Sequence, residues 1–442
     1  MSAPTNLAER SMAIGLRALN RLAGSPAIDR FGLRLAAERL VHSASKTTMR
    51  TTARVGRTFV AAQRMSRPAR QPRVSRSDLF DLTPDDEQQM LCESVRDFAL
   101  AQLRPAARDA DDRCASPAQL LAQSSELGLT MIGVPEALGG AVERRSAVTS
   151  VLMSEALARG DLGIALACLA PAAVSTALSL WGDAEQQATY LPEFVGENVP
   201  AGALAVLEPQ PLFDPFALRS TARPLHGGYV LDGVKALVPR AAEGELFVVA
   251  AQVPGQGPAL FLVESKTHGI SVEPDPAMGL RAAATGRLIL QAVSLPAGAL
   301  LGGGGRGVFA ECVALARLGW CALAVGAAQA VLDYVIPYVK DRSAFGEPIS
   351  DRQAVAFAVA DIAIELEGMR LATYRAAARV DCDETFAREV ALARRLCREH
   401  GMTIGSQGVQ LLGGHGYVKE HPVERWYRDL RAAGMMEGAL LV

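Results

Sequence analysis

The stretch that decides the fold is Gln410–Glu437, QLLGGHGYVKEHPVERWYRDLRAAGMME. An apolar helical pattern closes on a glycine-dense turn, Gly413, Gly414 and Gly416. A charged helix follows (Glu424, Arg425, Arg428, Asp429, Arg431), and then one carboxylate, Glu437, stands among methionines and alanines. Glycine has no Cβ and lets a backbone approach a flat ligand closely. A carboxylate in apolar company suits general-base work. Each feature also has a plain structural alternative. Gly-Gly commonly ends a helix, and a Glu near a chain end is usually solvated.

Working outward, the 442-residue length fits two or three domains or one large layered unit. Half the residues are hydrophobic and 5% are aromatic, so Ala, Leu and Val build the core and favour helix. A net charge of −2 gives no global reason to expect nucleic-acid binding. The charge is uneven, however. Residues 1–77 carry fourteen Arg and one Lys against Glu9, Asp29 and Glu38. Seven scattered cysteines, with no CxxC and no metal spacing, read as reduced intracellular thiols. The histidines do not cluster with them, so no metal site is expected. Leu162–Trp181 is long and uncharged, but Pro171 and its alanines point to a buried helix pair rather than a membrane span. No secretory signal is legible at the N-terminus.

In chain order, the arm comes first. Met12, Leu16, Leu19 and Ala23 share one helical face and Arg10, Arg17 and Arg21 another; a second such segment covers residues 31–41, and the Arg/Ser/Thr/Pro-rich run to residue 77 reads as poorly ordered. Three readings stay open for the arm. It is an interfacial helix for an anionic membrane through residues 1–42, a transit peptide, or an oligomer or partner contact. From 78 to 201 the pattern is all-helical, with Thr83 as N-cap and Pro84 as first helical residue. From 202 to 305, short aliphatic runs alternate with Gly, Pro and Asp turns, which describes a compact antiparallel sheet or barrel. Gly302–Gly307 formally contains GxGxxG, but no βαβ unit precedes it, so it reads as a turn. From 306 to 442, long amphipathic helices imply an antiparallel bundle. The fold class is therefore α+β, mainly α.

An α-helical domain, a middle β domain and a helix bundle in that order, with these motifs, resemble the acyl-CoA dehydrogenase family over about residues 78–442. RSAFG (342–346) is similar to the family's R-x-x-F-G, and QLLGGHG (410–416) to its Q-x-x-G-G-x-G. VERWYRDLR (423–431) followed by MEG resembles the segment leading to its catalytic Glu-Gly. The resemblance implies FAD between the β domain and the bundle, held partly by a neighbouring subunit. It places Arg342 and Phe345 on FAD across that interface, with Gln410, Gly413 and Gly414 against the same cofactor. Glu437 would abstract the α-proton of a fatty acyl-CoA thioester while the β-hydride passes to the flavin. Arg317, twenty-five residues before Arg342, falls where the family has a helix arginine near thioester and base. The flavin carries the redox step, and the protein supplies positioning and electrostatics. The implied partners are an electron-transfer flavoprotein and further copies of the chain in a homodimer or homotetramer, or a hetero-oligomer. The expected location rests on the basic arm alone: the cytoplasm, peripheral to the inner face of a membrane, with the mitochondrial matrix as alternative. Each residue keeps a structural alternative: Arg342 as a helix cap, Gln410 as surface, Arg317 as a bundle salt bridge.

The middle domain departs from the family pattern. Where the family has T-E-P-x-A-G-S-D, this chain has Leu207-Glu208-Pro209-Gln210-Pro211-Leu212-Phe213-Asp214. The family's W-I-T or W-I-S strand appears as Leu237-Val238-Pro239, and proline removes a backbone donor. Ala439 stands where the family favours Thr. The given sequence runs only five residues past Glu437, so the base is expected to be loosely held. Two alternatives to an active flavoenzyme follow: a subunit that lends its Arg342 edge to a partner's FAD, and an acyl-thioester-binding scaffold without redox activity.

Overall fold

The computed structural model describes residues 84–140, 145–195, 198–344 and 346–442. The basic arm and Thr83 lie outside them. Helix α1 (Asp86–Phe98) starts on Asp85, whose side chain accepts from the Gln88 amide while Gln88 reaches back to the Asp85 amide. This reciprocal cap places the helix start after Pro84, not at it, because Asp85 and Gln88 each satisfy the other's free amide at the first turn. A π-turn at Ala99–Leu103 joins α1 to α2 (Arg104–Arg113), and α3 (Ala118–Glu126) and α4 (Ala147–Ala158) follow.

Helix α5 (Leu162–Trp181) corrects the expectation of a helix pair, for it is one continuous helix with Pro171 inside it. Asp161 caps its N-terminus through the Ile164 amide at 3.0 Å. The helix is long and apolar enough to cross a membrane, yet 94% of its apolar window is buried inside the fold. Burial on all sides explains why it shows no polar face. Helix α6 (Ala184–Val195) completes the N-terminal layer.

The seven described strands of the middle layer are β1 (Gly202–Ala205), β2 (Thr221–Leu225), β3 (Gly228–Val238), β4 (Leu246–Val253), β5 (Gly257–Glu264), β6 (Ile270–Pro274) and β7 (Gly286–Pro296). They run in the order β1-β4-β2-β3-β7-β6, with β5 on the other edge of β4. Most pairs are antiparallel, as the pattern requires. The exceptions are β1 and β2, which both pair parallel to β4. Sequence alternation cannot reveal that, because β4 is buried almost throughout and reads as a continuous apolar run. Gly302–Gly305 all adopt positive φ in the turn that precedes the next helix.

Three long helices form the bundle: α7 (Arg306–Asp341), α8 (Gln353–Asp381) and α9 (Ala387–Leu412). A small hairpin, β8 (Ser343–Ala344) and β9 (Glu347–Pro348), links α7 to α8. The short helices α10 (Val423–Leu430) and α11 (Ala432–Met435) lie across the bundle. These elements form one compact unit, Phe80–Val442. Its largest core runs through α1 to α5 and α7 to α10, with Trp320 and Trp426 fully buried.

Candidate functional site

Glu437 is firmly held, contrary to the expectation from its place near the chain end. Helix α11 stops at Met435, and the chain then extends to meet the edge of β1. Gly438 bridges Ala205, and the Ala439 amide donates to the Leu204 carbonyl at 2.9 Å. From α7, the Trp320 indole donates to the Gly438 carbonyl at 2.8 Å. Gly438 sits at φ +73° with Val206 so close that an added Cβ would lie 2.7 Å from its Cγ2. Only glycine fits that corner. Ala439 is also left-handed, at φ +72°, a conformation that costs a non-glycine residue about 1–3 kcal/mol and that the surrounding packing must impose.

The side chain of Glu437 is 8% exposed and meets two guanidiniums. Arg317 on α7 is bidentate: Nη2 donates to Oε1 at 2.7 Å, and Nε to Oε2 at 2.9 Å and Oε1 at 3.1 Å. Arg394 on α9 donates from Nη2 to the Met436 carbonyl at 2.6 Å and to Oε1 at 3.2 Å. Burial lowers the Arg394 pKa, with Glu437 acting in the opposite direction. Of the apolar neighbours expected around Glu437, Met436, Ala439 and Leu440 are buried, whereas Met435 points to solvent.

The other expected residues gather elsewhere. Arg342 caps the C-terminus of α7, its amide bonded to the Tyr338 carbonyl at 2.9 Å. Its exposed guanidinium has no carboxylate partner among the described residues. With Tyr338, Gln410, Gly413, Gly414 and His415 it lines a cavity of about 360 Å³. Gly413 adopts φ +57°, ψ −131°, and a Cβ on Gly413 or Gly414 would meet nothing within 4 Å. This face is open to an incoming group, and the fork of Arg342 suits phosphate oxygens. Phe345 lies outside the described residues. Arg317 lies within α7 and Arg342 caps its C-terminus twenty-five residues later, so at 1.5 Å per residue their backbones stand about 37 Å apart along the helix. The expected residues thus form two groups, one around Glu437 and one around Arg342.

Between β1 and β3 sits a pair that sequence reading missed. Lys235 is fully buried and donates to Glu208 Oε1 at 2.8 Å. Glu208 also accepts from the amides of Arg219 at 2.7 Å and Ser220 at 2.9 Å. Burial brings Lys235 down to about 8. Burial also opposes the Glu208 carboxylate, but Lys235 and the two amides outweigh it and hold it below the usual range. This network orients the 207–209 run against β3, where the Ala236 amide donates to the Leu207 carbonyl at 2.9 Å. Next along β3, Leu237 takes a left-handed φ of +50° and gives its amide to Asp275 at 3.1 Å. The strand that departs from the family pattern is therefore bent, and one of its donors is already engaged. Among the described residues, no group of three His, Cys, Asp or Glu side chains could hold a metal ion.

A helical layer, a small sheet and a helix bundle that meet at a buried Glu–Arg pair define a class, the flavin-using dehydrogenases of acyl thioesters. The chain belongs to the acyl-CoA dehydrogenase family. The family's N-terminal domain matches residues 85–198, its middle domain 203–293 and its C-terminal domain 303–440. The short-chain specific mitochondrial acyl-CoA dehydrogenase of Bos taurus is 36% identical over 365 residues, covering 79% of this chain and 86% of that protein. The butyryl-CoA dehydrogenase structure from Megasphaera elsdenii superposes with a TM-score of 0.74 at 27% identity, over 80% of this chain and 95% of that one. The structure of PigA with FAD and proline gives 0.75 at 25% identity, over 82% of this chain and 96% of that one.

Proposed function

We propose that this chain carries out FAD-dependent α,β-dehydrogenation of an acyl-CoA thioester, with Glu437 as the base. The carrying observation is the buried Glu437 carboxylate, fixed between β1 and α7 by Arg317. In the reaction the α-C–H bond breaks and its proton goes to Glu437, while a double bond forms between the α and β carbons. FAD, when bound, supplies the hydride acceptor for the β carbon. Arg317 keeps the carboxylate aimed, since displacement of a base by ~1 Å can lose about a hundredfold in rate.

The chain's residues fit the phosphate-bearing end of that cofactor. Gly413 and Gly414 leave backbone open, and Arg342, without a carboxylate partner among the described residues, lines the same cavity as Gln410. The separation of this face from Glu437 supports a shared arrangement, in which one copy's Arg342 face serves another copy's flavin in a homodimer or homotetramer. At the ring end, Leu207 and Pro239 stand where the family offers hydroxyls. The redox partner consistent with the family is an electron-transfer flavoprotein. The bovine relative's name places that protein in the mitochondrion; for this chain a transit-peptide arm gives that compartment, and an arm docked on a membrane through residues 1–42 gives the cytoplasm.

Leu237, with its amide committed to Asp275, favours a second reading: a subunit that lends its Arg342 face to an active partner while its own ring site is empty. One experiment separates them. The purified protein is titrated anaerobically with acyl-CoAs of increasing length while its absorbance is recorded. A flavin band that bleaches, and that no longer bleaches in Glu437→Gln with flavin still bound, supports the enzyme. A colourless protein that does not take up added FAD refutes the self-sufficient enzyme and leaves the half-site subunit.

A further inference from the structure

The two oxygens of Glu437 are not equivalent. Oε1 accepts from Arg317 Nη2 at 2.7 Å and Arg394 Nη2 at 3.2 Å, while the one Arg317 Nε hydrogen is shared between Oε2 at 2.9 Å and Oε1 at 3.1 Å and is the only donor to Oε2 among the described residues. A carboxylate has about four lone-pair sites in all. Oε1 is therefore saturated, and Oε2 is the oxygen with an open position. Arg317 alone would share itself between both. The second full donor on Oε1 comes from α9, and the same nitrogen also holds the Met436 carbonyl at 2.6 Å.

We propose that Arg394 is a positioning residue for the base: its Nη2 ties down the Met436 carbonyl and Glu437 Oε1 together, which leaves Oε2 as the atom that receives the substrate's α-proton. This deepens the reading of Glu437 as base and rests on it. The support is the double grip of one nitrogen, since Arg394 Nη2 holds the backbone just before the base and the base itself. The charged groups facing Arg394 are Glu437 and Arg317, and the thiols of Cys321 on α7 and Cys397 on α9 also lie against it. Glu437 is the only carboxylate among them. When Oε2 takes the proton, two guanidiniums remain beside a neutral acid, and that positive field favours the negative charge developing on the thioester carbonyl.

The test is the anaerobic flavin-reduction rate at saturating acyl-CoA, with acyl-CoA affinity and thermal melting measured alongside, in wild type, Arg394→Met and Arg394→Lys. The Arg394→Met rate should fall by about tenfold or more as the base loses its aim, while acyl-CoA affinity stays within about threefold, because an aiming interaction acts on the chemical step and not on binding. Lysine keeps the charge and can reach one of the two acceptors, so it should restore the rate to within about threefold of wild type. Loss of rate and affinity together with melting, not restored by lysine, would reduce Arg394 to a structural strut, and an Arg394→Met rate within about threefold of wild type would overturn the proposal outright. If Arg394→Met does not fold, the lysine variant decides: a rate down by about tenfold overturns the proposal, and a retained rate supports it. Glu437→Gln in parallel separates the two layers. Residual bleaching there removes the base assignment itself, whereas complete loss there with an unchanged Arg394→Met rate removes only the positioning role.

Discussion

Replacing Lys235 by methionine tests how the middle domain presents its edge to the site. The ammonium is 0% exposed and the Glu208 carboxylate 3%, so solvent screens neither. Methionine fills the space of the stem but leaves Glu208 with an unbalanced buried charge. Breaking a buried pair from one side costs about 3–5 kcal/mol. Two amides at 2.7 and 2.9 Å stay on the carboxylate, which places the expected loss near the lower end, about 3 kcal/mol. Equilibrium urea unfolding of the whole chain measures it. The double variant Glu208→Gln/Lys235→Met should recover most of the loss, because no unpaired ion remains. The pH profile provides a second check. Lys235 falls from an ordinary 10.5 to about 8 in the folded protein, so between those values the unfolded chain holds the extra proton. Stability should therefore rise with pH across that window, and Lys235→Met should lack the rise. A Lys235→Met protein within about 0.5 kcal/mol of wild type would refute the pair as a structural determinant of the Leu207–Pro209 run.

Other predictions follow from single sites. Burial and then the Asp161 carboxylate push Asp429 up to about 7 from an ordinary 3.8. Its contribution is thus full in acid and lost as pH rises toward 7. Asp429→Asn, which can still accept the Leu280 amide, should flatten that decline when urea unfolding at pH 4.5 and 7.5 is compared, and an equal decline in both proteins would exclude Asp429 as its source. Arg342→Met removes an exposed side chain without a carboxylate partner among the described residues, so unfolding free energy without FAD should change by less than about 0.5 kcal/mol. FAD affinity, read by ultrafiltration titration, should nevertheless fall by about tenfold or more through loss of a charge-assisted contact, and unchanged affinity would remove Arg342 from the cofactor face.

The sequence by itself determined the order of layers and the elements whose signal is local. Helix periodicity marks α7 to α9, and Gly413–Gly414 mark an open turn. RSAFG, QLLGGHG and the run into Glu437-Gly438 place the candidate residues on particular elements, because each motif's constraint lies within a few residues of chain. What only the tertiary structure decided depends on partners far apart in sequence. Arg394 meets Glu437 from forty-three residues away and Lys235 meets Glu208 from twenty-seven. Neither pairing leaves a spacing pattern, since helix and strand periods fix which face a residue shares and not which distant charge it finds. The bend at Leu237 is similar. Proline at 239 announces a missing donor, but the left-handed turn and the capture of the Leu237 amide by Asp275 depend on the chain just after β6 reaching the end of β3 across the sheet position held by β7. The firm seat of Glu437 also comes from packing: the β1 edge, Trp320 and two arginines hold a segment that its position in the sequence would leave free.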